Sequence, residues 1–389
     1  MRIVHIITRL ILGGAQENTL LTVEEQHHRH RDHVTLVTGP PLGPEGSLLD
    51  RAYRKGLDVR LIDSMRRAIH PWRDWAAYRA IVRLLREIKP EVVHTHSSKA
   101  GVLGRAAAAK VGVPAIIHTV HGPPFHRYER WWRNRLYVAA ERWAARRTSA
   151  FICVSDAMTD QFVAAGIAPR EMFTTIYSGM EVEPFLNPLR PREEVRRELG
   201  FSDSDVVIGK IARLFELKGH DDVIDAASEV VRQCPPARFL FVGDGIWRER
   251  LAGRIAAAGL EKHFHFTGLV ATDRVPELIH AMDIVVHCSL REGLARVLPQ
   301  ALIAGKPVVS YDVDGAREVV LPDRTGLLLP PQAINQLAEG LIRLVQDTSL
   351  RSAWGAEGRR LFTDQFRHDR MADEIRRVYE SALAGKTRR

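Results

Sequence analysis

Two cations stand where the second half of the chain could hold a diphosphate. Arg213 and Lys218 follow the β-branched run Val206–Ala212, and Gly219 marks the turn into the next helical pattern. An Arg fork and a Lys point charge beyond the carboxyl end of a strand can clamp a diphosphate and stabilise the charge that develops as it leaves. Two solvated surface cations are the alternative, but a position after a strand favours the functional interpretation.

A second candidate lies after the first strand, where Gly13 and Gly14 lead into a helical pattern. Amides at a helix N-terminus can bind a phosphate, although a tight turn without a ligand is an equal alternative. The spacing lacks the third glycine of the dinucleotide fingerprint. His94, His96 and Lys99 stand at another strand end, where the histidines are either acceptor-site or purely structural residues.

The elements that must position these residues are short strands alternating with helices. The first half contains the strand patterns Ile3–Thr8, Val34–Thr38, Val59–Ile62, Val92–Thr95, Ala115–Thr119 and Ala150–Val154. A second series comprises Val206–Ala212, Phe239–Val242, His265–Thr267, Ile284–His287, Pro307–Ser310 and Gly326–Leu329. This alternation predicts two α/β domains with doubly wound parallel sheets, which bind a ligand in a cleft between them.

The Asn187–Pro191 stretch carries two prolines and no periodic pattern, so we expect the domains to span residues 1–187 and 188–389. The last helix, around residues 369–383, is a candidate to pack back on the first domain. A length of 389 residues agrees with two domains.

The net charge of +9 suggests an anionic partner, and all of it belongs to the first half, because residues 1–190 carry 27 basic and 18 acidic side chains. The chain shows no recognisable nucleic-acid module, so we expect no nucleic acid. Three distant cysteines favour a reducing cytosol over a disulfide framework. No apolar run approaches the roughly 20 residues of a membrane span.

The segment Ser289–Val309 contains Glu292, Gly293, Leu294 and a Gly-Lys-Pro-Val strand start, and in this order it resembles the donor-binding segment of family 4 retaining glycosyltransferases of the GT-B fold. Other motifs of that family stand in sequence order. They are Gly13–Gln16, His94–Gly101, His121–Gly122, Val154–Ser155, Arg213 with Lys218–Gly219, Val242–Gly245 and Phe266–Gly268. The resemblance spans nearly the whole chain.

The resemblance implies roles for single residues. Glu292 would hold hydroxyls of the donor sugar, the amides of Gly293 and Leu294 would approach the sugar and phosphate, and His121 would lie near the reaction centre. Arg213 and Lys218 would take the diphosphate. Gly14 would add a backbone contact to the donor, Gly243 belongs to a donor-side motif, and Leu269 and Val270 would lie against the base.

One position departs from the family pattern, because Gln300 stands where a second glutamate usually accepts hydrogen bonds from the ribose. An amide oxygen still accepts, so donor affinity and nucleotide preference are affected more than the reaction class. Glu292 with an amide is also a poor pair for a glycosidase, which needs two carboxylates.

Two clusters could suggest a metal, and we assign none to either. Asp312-Val313-Asp314 fits a loop after a strand, and the histidine-rich stretch 27–33 fits a polar connection, so we expect neither metal nor cofactor.

Aromatic and basic residues mix in the segment Phe125–Tyr137 and again in Ser64–Arg73. Such surfaces can rest on anionic lipid, with tryptophan at the interface and arginine facing phosphate. The alternative is that Trp131, Leu136 and Trp143 pack into the core. We favour membrane-surface contact.

The sequence therefore predicts a glycosyltransferase that moves a sugar from a UDP- or GDP-linked donor to a lipid-linked or cell-envelope glycan, with retained configuration. We expect it in the cytoplasm, peripheral to the inner face of the membrane. A GT-B sugar-nucleotide epimerase and a non-catalytic sugar-nucleotide-binding protein are the alternatives.

Overall fold

The computed structural model describes residues 1–43 and 46–387, with side chains through residue 385. The chain divides into two compact units. The first comprises Met1–Met180 together with Phe366–Arg389, and the second comprises Glu181–Gln365.

The first unit is a parallel sheet with helices on both faces. Its strands are β1 (Arg2–Arg9), β2 (His33–Gly39), β3 (Asp58–Leu61), β4 (Val92–His96), β5 (Ala115–Val120), β6 (Ala150–Cys153) and β7 (Phe173–Thr175). Its helices are α1 (Gly14–His28), α2 (Leu49–Arg54), α3 (Pro71–Ile88), α4 (Ser98–Val111), α5 (Trp131–Ala145), α6 (Asp156–Ala164) and, from the end of the chain, α15 (His368–Thr387). Within the described residues the strand order is β3-β2-β1-β4-β5-β6-β7.

The second unit repeats the plan with six described strands. They are β8 (Val206–Ile211), β9 (Ala237–Val242), β10 (Phe264–Gly268), β11 (Ile284–His287), β12 (Val308–Tyr311) and β13 (Gly326–Leu329), in the order β10-β9-β8-β11-β12-β13. Its helices are α7 (Glu183–Leu186), α8 (Arg192–Glu198), α9 (His220–Gln233), α10 (Arg248–Ala257), α11 (Val275–Ala281), α12 (Val297–Ile303), α13 (Ile334–Gln346) and α14 (Thr348–Phe362).

The central strands of both sheets are buried on two faces, which explains their continuous apolar runs. In the first unit, β1 is buried from Ile3 to Thr8. One apolar cluster joins β1 and β2 to α1 and α15, and a second joins the other face of the sheet to α3 and α4. Helix α15 contributes Met371, Ile375 and Tyr379 to the first of these clusters.

The division between the units falls after Met180, earlier than the expected boundary after residue 187. Helix α7 explains the difference, because it packs against α11 and α12 of the second unit. The His280 ring lies 2.7 Å from the carbonyl oxygen of Phe185. The Asn187–Pro191 stretch therefore lies inside the second unit, while α15 packs within the first.

All twelve predicted strand patterns correspond to strands of the two sheets. Strand β7 was missed. It has three residues and lies at the edge of the first sheet, where a short strand leaves almost no periodic signal.

Candidate functional site

The strand order of the second unit brings two loops together at one edge of its sheet. Strands β8 and β11 are neighbours, and the order reverses between them. Ligands of open α/β sheets bind at the carboxyl ends of the strands at such a reversal. The loop after β8 carries Arg213 and Lys218, and the loop after β11 carries Glu292, Gly293 and Leu294.

The two loops meet in an ion pair between the Lys218 ammonium and the Glu292 carboxylate. Their side chains are 22% and 24% exposed, so a ligand can reach both. The His287 ring lies 3.8 Å from the same carboxylate. Burial by itself raises the pKa of Glu292, but the His287 ring and the Lys218 charge outweigh it and keep the pKa well below its usual range. Glu292 is therefore an anion.

Backbone contacts hold this pair of loops in register. The Leu290 amide donates to the Leu217 carbonyl oxygen at 2.8 Å. Gly219, the N-cap residue of α9, has a φ of +66° and lies so close to the other loop that a Cβ there would be 2.0 Å from the Cys288 carbonyl oxygen. Only glycine fits this conformation and this approach. The Asp314 carboxylate accepts a hydrogen bond from the Glu292 backbone amide at 2.7 Å, and this bond helps to fix the second loop.

Arg213 is exposed, and its guanidinium lies 5.2 Å from the centre of the Phe215 ring. It stands at the same strand end as Lys218, so both predicted phosphate ligands are accessible from one side of the sheet. The remaining donor-side candidates are spread along this edge. Gly243 follows β9, Leu269 and Val270 follow β10, and Gln300 is half-buried on α12.

A third basic side chain, Lys210, lies on the strand that precedes the Arg213–Lys218 loop. Lys210 is buried on β8, and within the described part of the chain its ammonium has no hydrogen-bond partner. Burial is the main cause that lowers the pKa of Lys210. The Lys218 charge lowers it further, whereas the Cys288 and Glu292 groups oppose the shift. Lys210 was not predicted as a site residue, because the strand pattern around it shows that the position is buried and not which charged groups lie near it.

The corresponding edge of the first unit carries Gly14 and His121. The sheet order reverses between β1 and β4. A cavity of about 240 Å³ opens there, lined by Ala15, Ser97, His121 and Gly122 among others. Gly14 is exposed at the first position of α1.

The acceptor-side candidates of this unit, His94, His96 and Lys99, all bond to other groups of the protein. His94 and His96 are fully buried, and their ring nitrogens bond to other side chains, which supports the structural alternative for both. The Lys99 ammonium lies 2.7 Å from the Asp74 carboxylate and also contacts the Ala68 carbonyl oxygen, so it is committed within the protein.

Among the described residues, one trio of potential metal ligands lies close enough to share an ion, namely His5, His94 and His96. Each of their six ring nitrogens already has a side-chain partner within hydrogen-bond distance. A metal would have to displace these bonds, and the trio does not fit a resident ion. Asp312 pairs with Arg317, and Asp314 holds the Glu292 amide, so the Asp-x-Asp segment also has structural partners.

The tryptophans of the two aromatic-basic segments are exposed rather than buried. Trp72 is 78% and Trp131 is 70% exposed, and Ile69, Leu136 and Trp143 are also open to solvent. The core-packing alternative for Trp131, Leu136 and Trp143 is therefore excluded. Across residues 1–43 and 46–387, none of the helices combines the length and apolar character that crossing a bilayer requires.

Comparison with known proteins agrees with this geometry. Residues 13–179 match the sequence model described as "Glycosyl transferase 4-like domain", and residues 191–361 match "Glycosyl transferases group 1". The chain is a family 4 glycosyltransferase of the GT-B fold. The fold class, the family and the enzyme class predicted from the sequence are confirmed.

Two relatives and one solved structure illustrate the likeness. UDP-Gal:alpha-D-GlcNAc-diphosphoundecaprenol alpha-1,3-galactosyltransferase of Escherichia coli is 25% identical over 99% of this chain and 98% of its own. 2-Deoxystreptamine N-acetyl-D-glucosaminyltransferase of Streptomyces fradiae is 29% identical over 82% of this chain and 79% of its own. The crystal structure of Anabaena HepE with UDP-glucose covers 98% of this glycosyltransferase and 100% of its own chain, with 24% identity and a TM-score of 0.82.

Proposed function

We propose that this glycosyltransferase moves a sugar from a nucleotide-diphosphate donor to a glycan acceptor that is lipid-linked or part of the cell envelope, with retained anomeric configuration. The observation that carries the donor half is the Lys218–Glu292 pair at the strand-order reversal of the second sheet, with the exposed Arg213 on the same loop as Lys218. Two cations suit a diphosphate and one carboxylate suits sugar hydroxyls. The solved structure with UDP-glucose supports the same donor class.

The chemistry follows from this set of charges. The bond between the anomeric carbon and the donor phosphate breaks, and a bond to the acceptor hydroxyl oxygen forms on the same face of the sugar. The hydroxyl proton passes to the leaving phosphate, and nucleoside diphosphate departs. Arg213 and Lys218 stabilise the charge that grows on the phosphate, which is the main contribution of the protein. Glu292 orients the sugar through its hydroxyls.

The direct test is to incubate the purified protein with a panel of UDP- and GDP-sugars and a membrane lipid extract. Arg213→Ala should lower transfer by roughly 10²-fold, as loss of a group that stabilises transition-state charge typically does. Arg232→Ala is the matched control, because Arg232 is exposed and pairs with Glu229 on the same helix, α9. Wild-type transfer in Arg213→Ala would contradict its role.

The same experiment separates the alternatives. Conversion of the donor sugar without any acceptor would identify an epimerase. Binding of sugar nucleotides in calorimetry without turnover would identify a non-catalytic binding protein. Absence of both binding and transfer with every donor would refute the proposal. The accessible Lys218–Glu292 pair favours transfer over either alternative.

The acceptor half of the proposal rests on the aromatic-basic surface, which we define as Trp72, Trp75, Trp131, Trp132 and Trp143 with the arginines beside them. Helices α3 and α5 both pack against α4, so these residues lie on one side of the first sheet. Arg79, Arg133 and Arg147 lie 4.8, 5.2 and 3.8 Å from the centres of the rings of Trp75, Trp132 and Trp143. Exposed tryptophan beside arginine suits the interface of an anionic bilayer.

A lipid-linked acceptor would reach the enzyme at such a surface, and a relative that spans nearly the whole chain is named for a diphosphoundecaprenol acceptor. The protein should therefore sediment with vesicles containing phosphatidylglycerol and not with pure phosphatidylcholine. The double variant Trp72→Ser/Trp131→Ser should lose sedimentation, whereas Leu189→Ser, an 89% exposed residue of the second unit, should not. Equal sedimentation of all variants would contradict membrane binding through this surface. Transfer to a soluble aminocyclitol and to no lipid would contradict the proposed lipid-linked acceptor.

We further propose that transfer needs no resident metal and that the enzyme works in the cytoplasm at the inner membrane face. Asp312 binds Arg317 and Asp314 binds the Glu292 amide, and these contacts support a structural role for the Asp-x-Asp segment rather than metal binding. Transfer should persist in EDTA after dialysis. Loss of transfer that Mg²⁺ or Mn²⁺ restores would contradict the proposal.

A further inference from the structure

A chain of hydrogen bonds runs through the interior of the first unit and ends at His121. The Gln26 side-chain oxygen lies 2.8 Å from His5 Nε2. His5 Nδ1 lies 3.0 Å from His96 Nε2, and His96 Nδ1 lies 3.1 Å from His121 Nε2. At the other end, the Gln26 side-chain nitrogen donates to the Tyr379 hydroxyl at 3.2 Å. Gln26, His5, His96 and Tyr379 have no solvent exposure.

The protons along this chain point in one direction. An amide oxygen only accepts, so His5 must donate from Nε2 to Gln26. Burial lowers the pKa of His5 to about 4, and the pKa of His96 lies well below its ordinary value for the same reason, so both rings are neutral and carry one proton each. His5 therefore accepts at Nδ1 from His96 Nε2–H. His96 in turn accepts at Nδ1 from His121 Nε2–H.

The orientation of the Gln26 amide decides this direction. Its nitrogen is held on Tyr379, whose hydroxyl also lies 2.5 Å from His94 Nδ1. If the amide were reversed, its nitrogen would donate to His5, and every proton along the chain would move to the opposite ring nitrogen. Gln26 therefore acts on His121 through His5 and His96, and Tyr379 acts through Gln26. In this way they determine which nitrogen of His121 carries the proton.

We propose that Gln26, His5 and His96 are positioning residues that hold His121 as the Nε2–H tautomer, in which Nδ1 is the acceptor nitrogen of the ring. The tautomer assignment rests on the hydrogen bonds and on the neutral state of the two buried rings. Its relevance to transfer rests on the proposed function, together with the expectation from the family resemblance that His121 lies near the reaction centre. A histidine fixed in one tautomer and orientation by a partner on its other nitrogen is the arrangement that acid–base and sugar-contacting histidines require.

The first test reads the tautomer directly. Ring ¹⁵N chemical shifts of histidine-labelled protein, with His121 assigned from His121→Asn, should show the Nε2–H form near pH 7. Gln26→Met keeps a similar volume and removes the anchor, so the His121 signal should move toward a mixture of tautomers. Tyr379→Phe should loosen the amide orientation and produce the same shift more weakly.

The matched control is Thr95→Val. Thr95 is buried on β4 between His94 and His96 in sequence, but its hydroxyl bonds to His118 and the Ile117 carbonyl oxygen, off the chain that leads to His121. It should leave the His121 tautomer unchanged. A wild-type His121 protonated at Nδ1 would overturn the proposal, and so would an unchanged tautomer in folded Gln26→Met. The wild-type measurement decides the question even where a variant fails to fold.

Measurements of kcat and KM then test whether the tautomer of His121 affects sugar transfer. Gln26→Met should lower kcat by roughly tenfold with the donor KM within about twofold, the effect of one misdirected hydrogen bond in the transition state. Thr95→Val should retain kcat within about twofold. A shifted tautomer with unchanged kcat would overturn the positioning role while leaving transfer established. Absence of transfer in the wild type would instead refute the proposed function and leave the tautomer result standing.

Discussion

Replacing Glu292 by glutamine should change two binding properties in opposite directions. In the ligand-free enzyme the Glu292 carboxylate neutralises the Lys218 ammonium, and a donor diphosphate has to compete for that cation. An ion pair whose side chains are 22% and 24% exposed contributes about 1 kcal/mol. Glu292→Gln should therefore tighten the binding of free UDP or GDP by about fivefold. Sugar transfer should fall by roughly tenfold, because the sugar hydroxyls lose a charge-assisted acceptor.

Titration calorimetry with the nucleoside diphosphate and initial-rate kinetics with the sugar nucleotide measure the two effects separately. Glu357→Gln is the matched control, because Glu357 is 26% exposed and pairs with Arg324, just before β13 at the amino-terminal edge of the sheet. It should change neither property. Unchanged or weaker diphosphate binding in Glu292→Gln would refute the competition for Lys218, and undiminished transfer would refute the sugar contact.

Gln300→Glu should retain transfer and change donor affinity by no more than about 1–2 kcal/mol in calorimetry, the difference between a neutral and a charge-assisted hydrogen bond; complete inactivation would reveal another role. Glu141→Leu should destabilise the fold by about 3–5 kcal/mol in urea unfolding, because Arg105 and Glu141 form a buried pair at 2.6 Å, and the double variant Arg105→Met/Glu141→Leu should recover most of the loss. Equal losses in the single and double variants would contradict this. Burial lowers the pKa of His5 from 6.5 to about 4. As the pH falls, His5 is therefore protonated in the unfolded chain before it is protonated in the folded protein. The free energy of unfolding should drop by about 3 kcal/mol between pH 6.5 and 4 because of this residue. A His5→Asn variant should show a shallower drop, and an identical pH profile would argue against the assignment.

The doubly wound sheets and the edge that carries Lys218 could be predicted because both follow from local patterns. Strands that alternate with helices must run parallel, and residues just after strands then share one edge. The pairing of Lys218 with Glu292 needed only the additional order of β8 and β11. Residues 74 positions apart in sequence meet here through topology rather than through any local signal.

The chain of hydrogen bonds to His121 could not be predicted in the same way. His5, His94 and His96 occupy apolar strand positions where burial is expected for any side chain, but their partners come from distant helices. Gln26 lies on α1 and Tyr379 on α15, and amphipathic periodicity shows which face of a helix is buried without showing which polar atom it brings to a given ring. The exposure of Trp131, by contrast, agrees with the surface position that the mixture of aromatic and basic residues in Phe125–Tyr137 favoured.

Helix α15 has a consequence for the order in which the protein folds during synthesis. The first unit is assembled from both ends of the chain, so the apolar face of α1, β1 and β2 that receives Met371, Ile375 and Tyr379 stays uncovered until those residues leave the ribosome. The second unit is continuous in sequence and can close while the first is still incomplete. Translation thus makes the N-terminal sheet first and completes its core last, and the nascent chain carries an exposed apolar surface of the kind that chaperones recognise.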